Sequence, residues 1–365
     1  MELKEISLTN FKNIARAELG FSPKVNCFLG NNGMGKSNLL DAVYLLSFCK
    51  SFTGVQDSLL IRRGEQFAMV QALYDREGRD ERLSIGMAEG KRKRLRRGDK
   101  EYPRLSAHIG QFPLVMVAPQ DISLITGSGE ERRRWIDMVI SQGDPLYLDH
   151  LIRYGRMLDQ RNRMLRDGMT DAALFAAVEM PMGLAANYIY NTRKRWVERL
   201  SEIFSRYYRD IAGDDEVPSL EYVSRLGEEG QSMERLLDEA RGRDAILKHT
   251  SVGPHRDDIE MTLSGMPIRR TGSQGQMKSF TIALRFAQYD FLAETSGGIR
   301  PLLLLDDIFD KLDARRVARI METVTSDAFG QIFITDTNRK HLDEIVAGVG
   351  DYRLWNVAEG EFSPV

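Results

Sequence analysis

The chain has 365 residues, enough for about two domains with a sizeable buried core. Charged residues make up 28% and hydrophobic residues 42%, the balance of a soluble globular protein rather than a disordered or fibrous one. A net charge of −2 supplies no global positive field, so contact with an acidic polymer would have to use local patches.

The N-terminus is charged from Glu2 onward and does not read as a secretion signal. Leu3, Ile6 and Leu8 mark a first strand, and Asn10-Phe11-Lys12-Asn13 a turn. Val25-Asn26-Cys27-Phe28-Leu29 reads as a short buried strand. Gly30-Asn31-Asn32-Gly33-Met34-Gly35-Lys36-Ser37 then fits G-x-x-x-x-G-K-[ST] at every fixed position. Glycines let the backbone fold around phosphate oxygens, so that successive N–H groups form an anion nest. Lys36 would reach the β- and γ-phosphates, and the Ser37 hydroxyl would sit on Mg²⁺. Leu39, Leu40, Ala42, Val43, Leu45 and Leu46 follow at helical spacing, which points the positive end of a helix at the phosphates. Cys27 and Cys49 flank this loop in no metal-ligand spacing, and a disulfide scaffold is not expected.

Lys91-Arg92-Lys93-Arg94-Leu95-Arg96-Arg97 before Gly98-Asp99 reads either as a solvated hairpin rim or as a contact to a phosphate backbone. Pro113 to Pro119 bounds a buried strand. From about residue 128 helical periodicity takes over. Arg153, Arg156, Arg161, Arg163 and Arg166 stud one helical segment and Arg193-Lys194-Arg195 another, as on helices that keep a face wet. Ala172 to Tyr190 is the most apolar long stretch, but Glu179, Pro181 and Asn187 interrupt it, so no membrane span is expected and the chain reads as cytoplasmic. Gly213-Asp214-Asp215-Glu216 reads as a solvated acidic loop.

Strand character returns at Asp258 to Leu263, and a helix runs from about Lys278 to Ala293. Pro301-Leu302-Leu303-Leu304-Leu305-Asp306-Asp307 reads as a central parallel strand ending in two carboxylates. This is the expected partner of the phosphate loop: Asp306 would hold Mg²⁺ and Asp307 would polarise water. Roughly 270 residues separate Lys36 from Asp306, more chain than a compact phosphate-loop domain needs. A helical insertion over about 128–245 is the candidate for the excess. Gly272-Ser273-Gln274-Gly275-Gln276, at a helix start, makes a second nest without a lysine.

Taken together these motifs resemble a known family. Gly272 to Gln276 looks like the signature motif of ABC-type ATPases, and Asp310-Lys311-Leu312-Asp313 like their D-loop. Leu8-Thr9-Asn10-Phe11-Lys12-Asn13, Lys50-Ser51-Phe52, Glu131-Arg132-Arg133-Arg134-Trp135-Ile136-Asp137 and Gly253-Pro254-His255-Arg256-Asp257-Asp258 extend the resemblance to the RecF family over essentially the whole chain.

The resemblance implies an α/β, ABC-type phosphate-loop ATPase head, similar to SMC heads, with an inserted α-helical arm. Residues 1–127 and 246–365 would form the head and 128–245 the arm. It implies ATP and Mg²⁺ as cofactors and an ATP-dependent homodimer. Ser273, Gly275 and Gln276 of one copy, with Asp313, would then complete the site of Gly30 to Ser37 in the other. Gln120 falls at the Q-loop position.

The implied task is recognition of gapped or single-stranded/double-stranded junction DNA. With RecR and RecO the protein would help load RecA in recombinational repair, replication-fork recovery and SOS induction. Lys91, Arg92, Lys93 and Arg94 are the candidate DNA contacts. An SMC-like or other ABC-type ATPase acting on a different DNA substrate is the alternative. Asp307 replaces a longer Glu, and Ile334-Thr335-Asp336-Thr337 lacks the switch histidine. Both predict a weak ATPase used as a switch, and the resemblance implies that DNA stimulates it. His255 is expected to be a structural corner or a DNA-facing turn, and Glu131 to Arg134 to anchor the helical arm.

Overall fold

The computed structural model describes residues 1–310 and 312–365. Contacts divide the chain into two compact units, Met1–Asp121 with Gln288–Val365, and Ile122–Ala287.

Two six-stranded sheets build the first unit. One is antiparallel, in the order Ile14–Gly20, Glu2–Phe11, Phe67–Arg76, Arg79–Ala88, Arg94–Arg97, Lys100–Glu101. Along Glu2–Phe11 the buried residues are Leu3, Ile6, Leu8 and Phe11. A register shift between Leu3 and Glu5 accounts for the three-residue step from Leu3 to Ile6, because a bulge adds a residue without turning the inward face out.

The other sheet runs Glu361–Pro364, Tyr352–Ala358, Val25–Leu29, Ile332–Asp336, Leu302–Asp306, Leu114–Val117. All its pairings are parallel except the terminal hairpin. Leu302 to Asp306 are buried throughout, as a parallel strand covered on both faces requires. The helix Lys36–Phe48 touches strands of both sheets, and its apolar residues are buried all round. The strand Ile332–Asp336 stands between the strand that carries the phosphate loop and the acidic strand. Both functional segments therefore leave the same carboxyl edge of one sheet, the usual place for ligands in such sheets.

The second unit packs the helices Gly129–Gly143, Pro145–Arg166, Ala172–Ala212 and Met233–Leu247 with a three-stranded sheet of Pro218–Val223, Asp258–Leu263 and Met266–Pro267. Residues 246–287 belong to this unit, so the division by contacts falls later than position 245. Ala172–Ala212 is 41 residues long, runs through Pro181 without ending, and stops at Gly213 with φ 100°. By length and composition it could cross a membrane, yet Phe175, Val178, Met182, Ala185, Ile189 and Trp196 are buried inside the unit.

Two of the arginines that stud these helices do not keep a face wet. Arg161 is fully buried, with Nε 2.8 Å from Glu179 and Nη1 2.6 Å from Asp244, whose side chain is also fully buried. Arg193 is buried against Asp137 at 2.8 Å and donates to the Pro254 carbonyl at 2.7 Å. The acidic loop is not wholly solvated either, since Glu216 accepts from Tyr208 and, at 3.0 Å, from Gln276.

The two motifs with no obvious catalytic chemistry dock on each other. Glu131 closes a capping box with Ser128 at the start of Gly129–Gly143. Arg132 then grips Asp258 with two hydrogen bonds of 2.7 and 2.8 Å, and Arg133 donates to the Asp257 carbonyl at 2.6 Å. His255 is a structural corner: Nε2 donates to the Thr250 carbonyl at 3.0 Å and Nδ1 accepts from the Tyr154 hydroxyl at 2.6 Å. Burial lowers its pKa to about 4, so the ring is neutral at pH 7.

Candidate nucleotide site

Gly33 and Gly35 have φ of 82° and 115°, where only glycine is at ease, and they shape the loop between Leu29 and the helix. Gly30 is needed for a different reason: a Cβ there would lie 2.3 Å from the Val357 carbonyl oxygen. Asn31, Asn32 and Met34 complete the turn. Lys36 bends back over it, its Nζ 2.7 Å from the Gly30 carbonyl and 3.1 Å from that of Asn31. The ammonium is thus held inside the arc of the loop, where a phosphate chain would be bound.

Ser37 donates to Asp306 Oδ1 at 2.8 Å, and Thr335 donates to the same oxygen at 2.7 Å. The Thr335 hydroxyl also accepts the backbone N–H of Asp307 at 3.1 Å. One buried hydroxyl therefore orients one carboxylate and fixes the backbone of the next. Burial raises the pKa of Asp306, and the hydrogen bonds from Thr335 and Ser37 and the charge of Lys36 oppose it. The two oxygens of Ser37 and Asp306 fit Mg²⁺, a hard cation that takes one or two protein oxygens and completes its shell with phosphate and water. Asp307 adopts φ 46°, a left-handed conformation rare for a residue with a Cβ.

Gln120 sits in the turn Pro119–Ile122 after the strand that pairs with the acidic strand, exposed at the same sheet edge. Asp313 caps the helix Ala314–Thr325 by accepting from the Arg316 N–H at 3.0 Å, and its side chain is largely exposed. Lys311 of the expected D-loop lies outside the described residues. Ser273 and Gln276 close a reciprocal pair, Ser273 N–H to Gln276 Oε1 at 2.8 Å and Gln276 N–H to Ser273 Oγ at 3.2 Å. They start the helix Gln274–Thr295 with Gly275 in its first turn. These signature residues belong to the second unit, away in the chain division from the loop they are expected to complete in a partner copy.

The basic run splits by side. Lys93 forms an ion pair with Asp57 at 2.8 Å, which takes it out of the expected set of free contacts. Lys91, Arg92, Arg94 and Arg96 are exposed, and among the described residues none makes an ion pair. Arg94 and Arg96 lie opposite Gly86 and Ser84, which in turn lie opposite Met69 and Gln71, so one sheet face carries arginines beside exposed Phe67 and Met69.

Several supports had no signal in the sequence. Asp41, on the phosphate-loop helix, gathers Lys12 at 2.6 Å, the Ser51 hydroxyl at 2.7 Å and the Phe52 N–H at 2.6 Å. Asn13 accepts from Asn38 at 2.7 Å. These contacts explain why the Asn10 to Asn13 and Lys50 to Phe52 segments are shaped as they are: both brace the helix behind the loop. The turn of the terminal hairpin closes on the loop as well, Gly360 N–H to the Met34 carbonyl at 2.8 Å.

Comparison with known proteins decides the family. A family model described as RecF/RecN/SMC N terminal domain matches residues 2–353. A DNA replication and repair protein RecF from Parabacteroides distasonis is 50% identical over 100% of both chains. One from Porphyromonas gingivalis is 50% identical over 99% of each.

The chain belongs to the RecF family.

Among solved structures, a recombination mediator protein RecF with ATP, from the RecFOR pathway, superposes with a TM-score of 0.89 at 26% identity, covering 100% of this chain and 97% of that one. An Smc head domain from Pyrococcus furiosus shares the fold, with a TM-score of 0.60 at 17% identity. The RecF-family chain thus has the α/β, ABC-type ATPase head fold expected of it, and it is a relative of DNA replication and repair proteins.

Proposed function

We propose that this RecF-family chain is an ATP-dependent, DNA-binding recombination mediator, in which ATP acts mainly as a dimerisation switch. The observation that carries the reading is the meeting of Ser37, Asp306 and Thr335 at the mouth of the phosphate loop. Lys36 and the loop N–H groups would bind the ATP phosphates, and Ser37 and Asp306 would hold Mg²⁺. When bound, Mg²⁺ would neutralise charge on the phosphate oxygens. Asp307, with Gln120 at the same sheet edge, would orient the attacking water. Asp307 is short for that task, which favours slow turnover; stimulation by DNA follows from the family reading.

Ser273, Gly275 and Gln276 of a second copy, with Asp313, would cap the γ-phosphate and make ATP the glue between heads. The exposed arginines beside Phe67 suit a nucleic acid, whose phosphates need unpaired cations and whose unstacked bases need aromatic surface. Gapped or junction DNA, RecR, RecO and RecA, and a cytoplasmic location follow from the family reading.

Light scattering with Mg²⁺ and ATP tests the switch on the wild type, Lys36→Arg and Ser273→Arg. A dimer near twice 41.6 kDa that both variants lose supports it. A chain that binds ATP and stays monomeric, with and without gapped DNA, overturns it.

A further inference from the structure

Asp336 lies in the segment Ile334 to Thr337, which occupies the place of the switch histidine and lacks it, and the fold brings a histidine to Asp336 from downstream. His341 Nδ1 lies 2.9 Å from Asp336 Oδ2. The other carboxylate oxygen accepts the Asn338 N–H at 2.8 Å, so Asp336 is fixed through both oxygens and is buried. A carboxylate acceptor places the proton on Nδ1 and sets the plane of the ring. That ring packs edge-to-face with Phe309, with centroids 5.4 Å apart and planes at 61°. Phe309 is buried and lies two residues after Asp307.

Asp307 is the residue whose backbone needs this help. Its φ of 46° persists only where the surroundings impose it. Thr335 holds its N–H from the strand side. On the far side of the turn, Phe309 is backed by His341, and His341 is anchored on the residue that follows Thr335. Both ends of the turn are therefore tied to one strand tip.

We propose that Asp336 and His341 form a carboxylate–imidazole strut that positions the turn Asp307–Phe309, and through it the Asp307 carboxylate, for ATP hydrolysis. The proposal rests on the nucleotide-site reading above. His341 is a positioning residue: it acts through Phe309, and no proton leaves its ring. Its removal loosens the turn, and slows the chemical step without weakening the grip of the loop on the phosphates.

The test compares ATP affinity, by equilibrium titration, with single-turnover hydrolysis in His341→Ala, His341→Phe, Asp336→Asn and Asp306→Asn. His341→Ala is expected to slow hydrolysis about tenfold while affinity stays within about twofold. His341→Phe, which keeps a ring against Phe309, is expected to recover part of the loss, and Asp336→Asn to fall between. Hydrolysis unchanged in His341→Ala overturns the strut. So does a rate that falls together with affinity and unfolding midpoint, the mark of a merely structural residue. Asp306→Asn separates the two readings: if it hydrolyses ATP like the wild type, the nucleotide site itself fails and the strut with it. If it is inactive while His341→Ala is unaffected, only the strut fails.

Discussion

The Ser37 hydroxyl donates to the Asp306 carboxylate, 269 positions further along the chain, at 2.8 Å. This bond ties the phosphate loop to the acidic strand and makes one site out of two distant motifs. Asp306→Asn keeps the size of the side chain and removes its charge. Hydrolysis should fall by at least about tenfold and the Mg²⁺ requirement should shift upward, read from turnover against Mg²⁺ concentration.

Thr335 serves both acids at once. Thr335→Val replaces the hydroxyl by a methyl group of similar size and leaves Asp306 Oδ1 and the Asp307 N–H each one partner poorer. The expected cost is about 1–3 kcal/mol in urea unfolding, with a further loss of hydrolysis. Thr335→Ser should restore both.

The interior of the helical unit depends on a charge. Arg161→Met strands the buried Asp244 without its cation and leaves Glu179 only Arg241, at 3.4 Å. Breaking such a pair from one side should destabilise this unit by about 3–5 kcal/mol, measured by denaturant unfolding. Arg161→Met with Asp244→Leu should recover much of the loss.

The basic face predicts a graded response. Arg94→Glu with Arg96→Glu should weaken DNA binding and lower the salt slope by about one unit per lost phosphate contact. Lys93→Glu should act differently, because Lys93 is held by Asp57. Its effect should appear as lost stability of the hairpin rather than as a changed salt slope.

Acid should destabilise the fold well before most carboxylates titrate. Burial lowers His108 and His255 from 6.5 to about 4. Each ring donates Nε2–H to a carbonyl, Leu46 at 2.6 Å and Thr250 at 3.0 Å, which opposes the effect of burial only in part. The unfolded chain takes up these protons below pH 6.5 and the folded chain does not. Their contribution is therefore complete above pH 6.5 and drains away toward pH 4, by up to about 1.4 kcal/mol per pH unit for each ring. Urea unfolding at pH 7 and pH 5 should show the slope, and His255→Gln should reduce it.

What the sequence made legible were local patterns with local chemistry. The loop from Gly30 to Ser37 carries its own glycines, and the strand from Leu302 announces its burial on both faces by four consecutive leucines. Arg161 and Arg193 were unreadable for the opposite reason. Their partners, Asp244 and Asp137, lie 83 and 56 residues away, and a helical arginine with a distant carboxylate looks like any solvated one. Thr335 carries no signature either, since one threonine at a strand end becomes a hub only when two strands are set side by side. His341 was hidden because the expected histidine belonged within Ile334 to Thr337, and that segment holds instead the carboxylate, Asp336, that captures it.

The closing of the terminal hairpin on the phosphate loop has a consequence for synthesis. The loop is among the first segments made, yet the Glu359 N–H that rests on Met34 comes 325 residues later. The strand Val25–Leu29 is flanked by Ile332–Asp336 and Tyr352–Ala358, both also late. A nascent chain still on the ribosome therefore carries its nucleotide motif without a floor or a lid. The loop can reach its final shape only after these late strands have been made.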